Sequence, residues 1–287
     1  MYKKSAYKIY FLERHSPLFR KQNLFSKTEI NKFKRSHFKH YQTLQEVERV
    51  LKKLKIRCRK RCRGRKINFD AYDFVVTVGG DGTFLEAARG LKDQIILGVN
   101  SDPLSSVGRF CAATKATFPN LFQQILHASF KMKILPRIQL RLKLKNKTVT
   151  MDVLNDILIC HQNPAAMSRY ELVIHGLKEE QRSSGLWIST AAGSSGAIHS
   201  AGGVLMPADR QDIQYRPREL YQSQRNYQLK GGMVRLKSPF IVRSLMRGGV
   251  IFVDGSHSKY PFNFGDTARI AHSPVPLRVV DGGKVAL

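Results

Sequence analysis

The chain has 287 residues, a length that at roughly 150 residues per domain fits about two domains. Hydrophobic residues make up 42% and charged residues 24%. That balance excludes wholesale disorder and permits a core without disulfide or metal staples, and no apolar run reaches the ~18 residues of a membrane span. Lys+Arg number 49 against 21 Asp+Glu, a formal charge of +28, and residues 1–66 alone hold 22 of those cations with 4 acids. Such an excess suits a nucleic acid, an anionic membrane or a polyanionic small substrate.

Tyr7-Lys8-Ile9-Tyr10-Phe11-Leu12 reads as a strand of the fold, followed by a loop around His15-Ser16-Pro17. The Arg-rich, acid-poor start also has the composition of a mitochondrial transit peptide, but a cleaved leader should not begin a sheet. With no secretory apolar region, the expected compartment is the cytoplasm, with the mitochondrion as the alternative. Leu44, Val47, Leu51 and Leu54 stand at helical spacing over 41–55. Cys58 and Cys62 follow in the run Arg57-Cys58-Arg59-Lys60-Arg61-Cys62-Arg63, without a second pair at zinc spacing. Flanking cations favour a thiolate, but the plain reading is reduced thiols on a solvated basic stretch.

Asp73 to Val78 is a nearly continuous apolar run ending in glycines, as in a parallel strand covered on both faces. A helix over Thr83–Arg89, a strand over Gln94–Val99 and a helix over 115–130 follow. Strands alternating with helices predict a doubly wound, Rossmann-like α/β domain over residues 1–132. From 133 to 287 the texture is mainly β. Ile138–Leu144 alternates apolar and basic residues, and strand-like stretches recur at 151–160, 170–176, 185–190, 233–242 and 249–254. Residues 207–230 are polar and aperiodic and read as a long connection.

The strongest local signal is Gly79-Gly80-Asp81-Gly82-Thr83, placed between a buried strand and a helix. Glycines let backbone amides approach a ligand, and amides at a helix N-terminus favour anions. A carboxylate repels phosphate, so Asp81 makes sense there if it takes a proton from a hydroxyl attacking phosphorus; the plainer role is a helix cap. No G-x-x-x-x-G-K-[ST] occurs, and Leu85 stands where G-x-G-x-x-G needs its third glycine. The nine histidines do not cluster as metal ligands, and His127 and His175 read as surface or partly buried side chains. A second unusual stretch, Ser183 to Ala197 and on through Gly203, passes from an apolar strand into small residues and hydroxyls that leave room for a flat ligand. Its plainer reading is a flexible Ser/Gly linker. Ala197 replaces the last glycine of G-x-S-x-G, which weakens a nucleophile elbow.

Gly79-Gly80-Asp81-Gly82-Thr83, Gly98-Val99-Asn100, Asn155-Asp156, Ser189 to Ala197 and Ser200-Ala201-Gly202-Gly203, in this order, resemble the NAD kinases, which phosphorylate the adenosine-ribose 2′-hydroxyl of NAD. In motif form the chain is closest to the divergent branch that includes the mitochondrial NAD kinases. The resemblance covers about residues 70–205. It implies an α/β domain followed by a β-sandwich, Asp81 as general base, and Gly79, Gly80, Gly82, Thr83 and Asn100 in the nucleotide loop. Asn155 and Asp156 correspond to the pair that bonds to the dinucleotide, and Arg169 and Arg182 fall where the family places basic residues near it. Ser195, Gly196, Ala197, Ile198, His199 and Ser200 overlay the segment that wraps it. ATP with Mg²⁺ as donor, NAD or NADH as acceptor and a dimer or tetramer are further implications. Where the family usually reads Thr-Pro-Thr-Gly-Ser-Thr-Ala-Tyr, this chain has Thr190-Ala191-Ala192-Gly193-Ser194-Ser195-Gly196-Ala197.

Two other readings remain. A lipid or sphingoid-base kinase shares the glycine loop but calls for an apolar entry pocket, whereas the second motif is rich in hydroxyls. A basic nucleic-acid-binding protein would use residues 1–66, which lack any helix-turn-helix or zinc-finger signature.

Overall fold

A computed structural model describes residues 1–13, 24–222, 226–236 and 239–283; the expected loop at His15-Ser16-Pro17 lies outside them. The chain forms two compact units, one of Met1–Lys133 joined by residues 278–283, the other of Ile134–Leu277.

The first unit is α/β. Helix α1 (Lys27–Lys53) begins at Ser26 with a reciprocal cap: the Ser26 hydroxyl accepts from the Glu29 amide and the Glu29 carboxylate accepts from the Ser26 amide. It extends well upstream of the periodic segment 41–55, because its first half is largely exposed and has only Ile30 and Phe33 as partly buried apolar residues, while Leu44, Val47, Val50 and Leu51 are buried. Strand β1 (Phe74–Gly79) pairs in parallel with β2 (Ile95–Asn100), and β2 pairs in parallel with β3 (Cys111–Thr114) and with β17 (Leu277–Val280). β4 (Met132–Leu135) lies beyond β17. Helices α2 (Asp81–Ala88) and α3 (Phe118–Leu126) complete the unit.

Strand alternation decides what each face carries. Val78, Leu97 and Val99 pack with α1 and with Phe118 and Phe122 of α3. Gly98 points the other way, and a Cβ there would come within 3.1 Å of Phe84 in α2. One parallel sheet is thus covered on both faces, which is why β1 and β2 are apolar almost throughout.

Three expectations are corrected. Residues Lys8–Leu12 form a π-helical turn, not a strand. Tyr7, Tyr10 and Phe11 stand at helical spacing, and Tyr10 and Phe11 both pack on Phe25 and Phe33. Residues 133–287 do not all belong to the β-rich part, since β17 returns to the first sheet. The connection 207–230 contains strand β11 (Ile213–Arg218), which pairs with β10 (Gly185–Ser189).

The second unit is a mainly β domain of two six-stranded antiparallel sheets. One runs β12-β11-β10-β7-β14-β15, adding β7 (Asp156–His161), β12 (Gly232–Val234), β14 (Gly249–Val253) and β15 (Lys259–Pro261). The other runs β6-β5-β16-β13-β8-β9, from β5 (Ile138–Leu144), β6 (Lys147–Val153), β8 (Ser168–Ile174), β9 (Leu177–Ser183), β13 (Phe240–Ser244) and β16 (Thr267–His272). Leu140, Leu172, Val242 and Ile270 from one sheet share a core with Ile157, Ile188, Ile213 and Ile251 from the other, the packing of a β-sandwich. A short helix, α4 (Ala197–Ser200), follows β10.

Candidate active site

In the first unit, β1 ends and α2 begins across the glycine loop. Gly80 caps the helix, and its carbonyl accepts from the Thr83 amide at 2.9 Å. Close approach bears on the first two glycines, most strongly on Gly79. A Cβ on Gly79 would stand 2.5 Å from Thr83 Oγ1, and one on Gly80 would stand 2.5 Å from Ser106 Oγ. Asp81 opens α2, with its Oδ1 accepting from the Phe110 amide at 2.9 Å. Arg109, beside Phe110, feels the Asp81 charge, although burial draws its own pKa below the usual guanidinium range. Thr83 Oγ1 is buried and has no hydrogen-bond partner.

The loop after β2 closes over these residues and is held by α1. Asn100 Nδ2 donates to the Ser106 carbonyl at 2.8 Å, and its Oδ1 accepts from the Asp102 amide at 3.2 Å. His40 sits between the Ser101 hydroxyl and the Lys3 carbonyl, at 2.9 Å from each. Burial lowers its pKa to about 4, so the neutral ring donates to the carbonyl and accepts from the hydroxyl. Lys39 pairs with Asp102 at 3.2 Å.

In the second unit, the Leu154–Asn155 turn between β6 and β7 is gripped from two sides. Asp254, just past β14, accepts from the amides of Leu154, Asn155 and Asp156 at 3.2, 2.6 and 3.3 Å. From the end of β10 and the residue after it, the Ser189 hydroxyl and the Thr190 amide donate to the Asn155 carbonyl. Asn155 Nδ2 donates to Asp156 Oδ2 at 2.9 Å. The small residues serve contact: a Cβ on Gly193 would fall 2.1 Å from the Asn155 carbonyl, and one on Gly196 would lie 3.6 Å from Asp156 Oδ2. Asn155, Asp156 and the 189–200 segment therefore form one cluster, with Ser195, Ala197, His199 and Ser200 exposed on it and Ile198 buried beneath. Asp156 is pushed up to about 7, first by burial and then by the Asp254 charge, against the opposing bond from Asn155.

The sequence pattern described as the ATP-NAD kinase N-terminal domain matches residues 13–130. A protein named "Probable NADH kinase" from Oryza sativa subsp. japonica is 35% identical over 231 residues, covering 72% of this chain and 70% of that protein. The chain belongs to the NAD kinase family. The Arabidopsis thaliana NADH kinase is also 35% identical, over 236 residues and 72% of each chain. Among solved structures, an NAD kinase from Archaeoglobus fulgidus in complex with ATP shares the fold at a TM-score of 0.69, with 22% identity, over 84% of this chain and 90% of that one.

Set beside the residues expected of an NAD kinase, the structure gathers Gly79, Gly80, Asp81, Gly82 and Thr83 at one helix start, and Asn155, Asp156 and 195–200 at one turn. Asn100 spends both ends of its side-chain amide on bracing its own loop. Arg169 and Arg182 face each other across β8 and β9, in the sheet that does not contain β7, and Arg182 Nε is buried without a partner. Among the described residues neither is hydrogen-bonded or ion-paired to Asn155 or Asp156. Sequence reasoning missed Asp254 and Arg109. An Asp-Gly step after an apolar strand marks Asp254 as a turn residue and nothing more, and Arg109 has no signal at all.

Proposed function

We infer that this chain is an ATP-dependent kinase of NAD(H), transferring phosphate to the adenosine-ribose 2′-hydroxyl to give NADP(H). The observation that carries the reading is Asp81. A carboxylate stands at the first turn of a helix whose N-terminus suits phosphate, fixed by the Phe110 amide, and the same turn carries the unpartnered Thr83 hydroxyl. There it accepts the proton of the attacking hydroxyl, while the helix start and Thr83 hold donor phosphate. The donor enters as Mg²⁺–ATP, the metal arriving with the substrate and offsetting its charge. Asn155 and Asp156 bind the ribose hydroxyls of the dinucleotide, and the exposed residues of 195–200 lie along it. With a pKa near 7, Asp156 offers both a donor and an acceptor form at neutral pH.

The names of the rice and Arabidopsis relatives favour NADH as the acceptor. A dimer or tetramer and a reducing compartment, the cytoplasm, complete the proposal. No cysteine is disulfide-bonded, and among the described residues no helix is long and apolar enough to cross a membrane. Purified protein with Mg²⁺–ATP and either NAD or NADH, scored for NADP or NADPH, tests the reading. Turnover with at least one acceptor is expected; none with either rejects it.

A further inference from the structure

The basic run 57–66 has no part in the site as described so far, yet one of its members reaches it. Of the seven cations in this run, Arg63 alone is not fully exposed. Its backbone is fixed, since the Arg63 amide donates to the Tyr2 carbonyl at 2.8 Å and Tyr2 bridges both Cys62 and Val78 of β1. Its Nε donates to Glu86 of α2 at 2.8 Å, and Glu86 also accepts from the Gly64 amide at 2.5 Å. The guanidinium fork is rigid, so with Nε held by Glu86 the outer nitrogens are aimed. Nη1 lies 3.6 Å from where a Cβ on Gly82 would stand. Gly82 is the exposed second residue of α2, and one residue on lies the buried Thr83 hydroxyl that has no partner. A planar cation thus lies beside the exposed start of a helix, and the same first turn carries an unsatisfied hydroxyl on Thr83. Each favours an anion with several oxygens.

We propose that Arg63 binds the phosphate chain of the nucleoside triphosphate donor, working with the start of α2. The donor's identity rests on the kinase reading above; the anion site does not. Glu86 is the positioning partner that turns the guanidinium towards Gly82. Of the other cations of the run, Lys60 pairs with Glu48 and lies over the Tyr2 ring, and Arg57, Arg59, Arg61, Arg65 and Lys66 are exposed and add to the general positive field.

The test compares Arg63→Met, Arg63→Lys and Glu86→Gln with the unaltered protein, by calorimetric binding of Mg²⁺–ATP, by KM for ATP and for NAD(H) separately, and by thermal unfolding. Arg63→Met should weaken Mg²⁺–ATP by roughly 10- to 100-fold, the range for a lost hydrogen bond to a charged group, with KM for ATP rising far more than KM for NAD(H). Arg63→Lys should recover part of the loss. Glu86→Gln leaves the cation in place and an amide oxygen for Nε, so its ATP affinity should fall by no more than about threefold. A purely structural ion pair predicts equal effects from Arg63→Met and Glu86→Gln, on affinity and on stability alike; that outcome, equal losses for both substrates, or unchanged ATP affinity in folded Arg63→Met overturns the proposal. Unaltered protein that binds Mg²⁺–ATP but phosphorylates neither NAD nor NADH overturns the kinase reading instead, and leaves the Arg63 comparison legible from binding alone.

Discussion

Asp81 in the first unit and Asp156 in the second are both candidate-site carboxylates, and their surroundings differ. Asp81 is partly exposed and held by one amide. Replacing it with Asn keeps size and a hydrogen-bond acceptor while removing the proton acceptor, so turnover should fall by ~100–10,000-fold in a folded protein. Circular dichroism with steady-state rates checks this, and near-normal turnover in the folded variant rejects the base. Asp156 is buried beside Asp254, and its pKa rises from 3.8 to about 7. Between those values the folded state holds a proton that the unfolded state has released. Asp156 therefore lowers stability progressively as pH climbs from about 4 to about 7, and by a constant amount above that. The Arg137 charge acts on Asp254, and Asp152 lies beside Arg137. Asp156→Asn should gain on the unaltered protein across that window by roughly 1–4 kcal/mol and then hold level. Denaturation at pH 4, 5.5, 7 and 8.5 measures it, and a constant difference would show that the carboxylate stays ionised throughout. At this scale Asp81, Asn155 and Asp156 were legible because each sits in a short local motif. Asp254 was not, because about 100 residues separate it from the turn it clamps.

Elements were legible where one period dominated. β1 and β2 announce themselves as apolar runs, and α1 is recognisable wherever its buried stripe repeats. The turn at Lys8–Leu12 was misread because β-favouring residues hid a helical spacing, which the contacts to Phe25 and Phe33 decide. β11 was lost in a polar stretch although Ile213, Tyr215 and Pro217 alternate inward, and Pro217 itself argues against a strand inside a sheet. The Ser/Gly segment after β10 reads as a linker by composition, yet four consecutive residues, Ala191 to Ser194, are buried and the Asn155 carbonyl touches it. Gly193→Ala should show the difference. A methyl group 2.1 Å from the Asn155 carbonyl must push the turn aside, costing about 1–3 kcal/mol and weakening NAD(H) more than ATP. Chemical denaturation and separate KM values test this; a linker would tolerate the alanine with no change in either.

At the scale of the molecule, the charge of +28 is largely a surface property. Lys27, Lys32, Lys34 and Arg35 of α1 and Arg57, Arg59, Arg61, Arg65 and Lys66 beyond it are exposed. Screening shortens such fields to about 8 Å near physiological ionic strength, so added salt should weaken Mg²⁺–ATP binding modestly. Titrations between 50 and 300 mM NaCl check this, with a DNA or RNA duplex as the control; tight duplex binding with a steep salt slope would favour the nucleic-acid reading. The division into an α/β part and a β part shows in the changing texture of the sequence near residue 133, but the return of β17 to the first sheet does not, because the last strand gives no sign of which sheet it joins. That return has a consequence for how the protein is made. β2 meets β17 through Ile95 and Arg278, about 180 residues apart. The sheet started first during synthesis is therefore finished last, after both sheets of the second unit have left the ribosome. Until Leu277–Val280 arrives, part of β2 presents an open parallel edge, the kind of surface that captures other chains. The slow step of folding is then the closure of that longest loop, and the risk of aggregation is greatest in the interval before Leu277–Val280 pairs with β2.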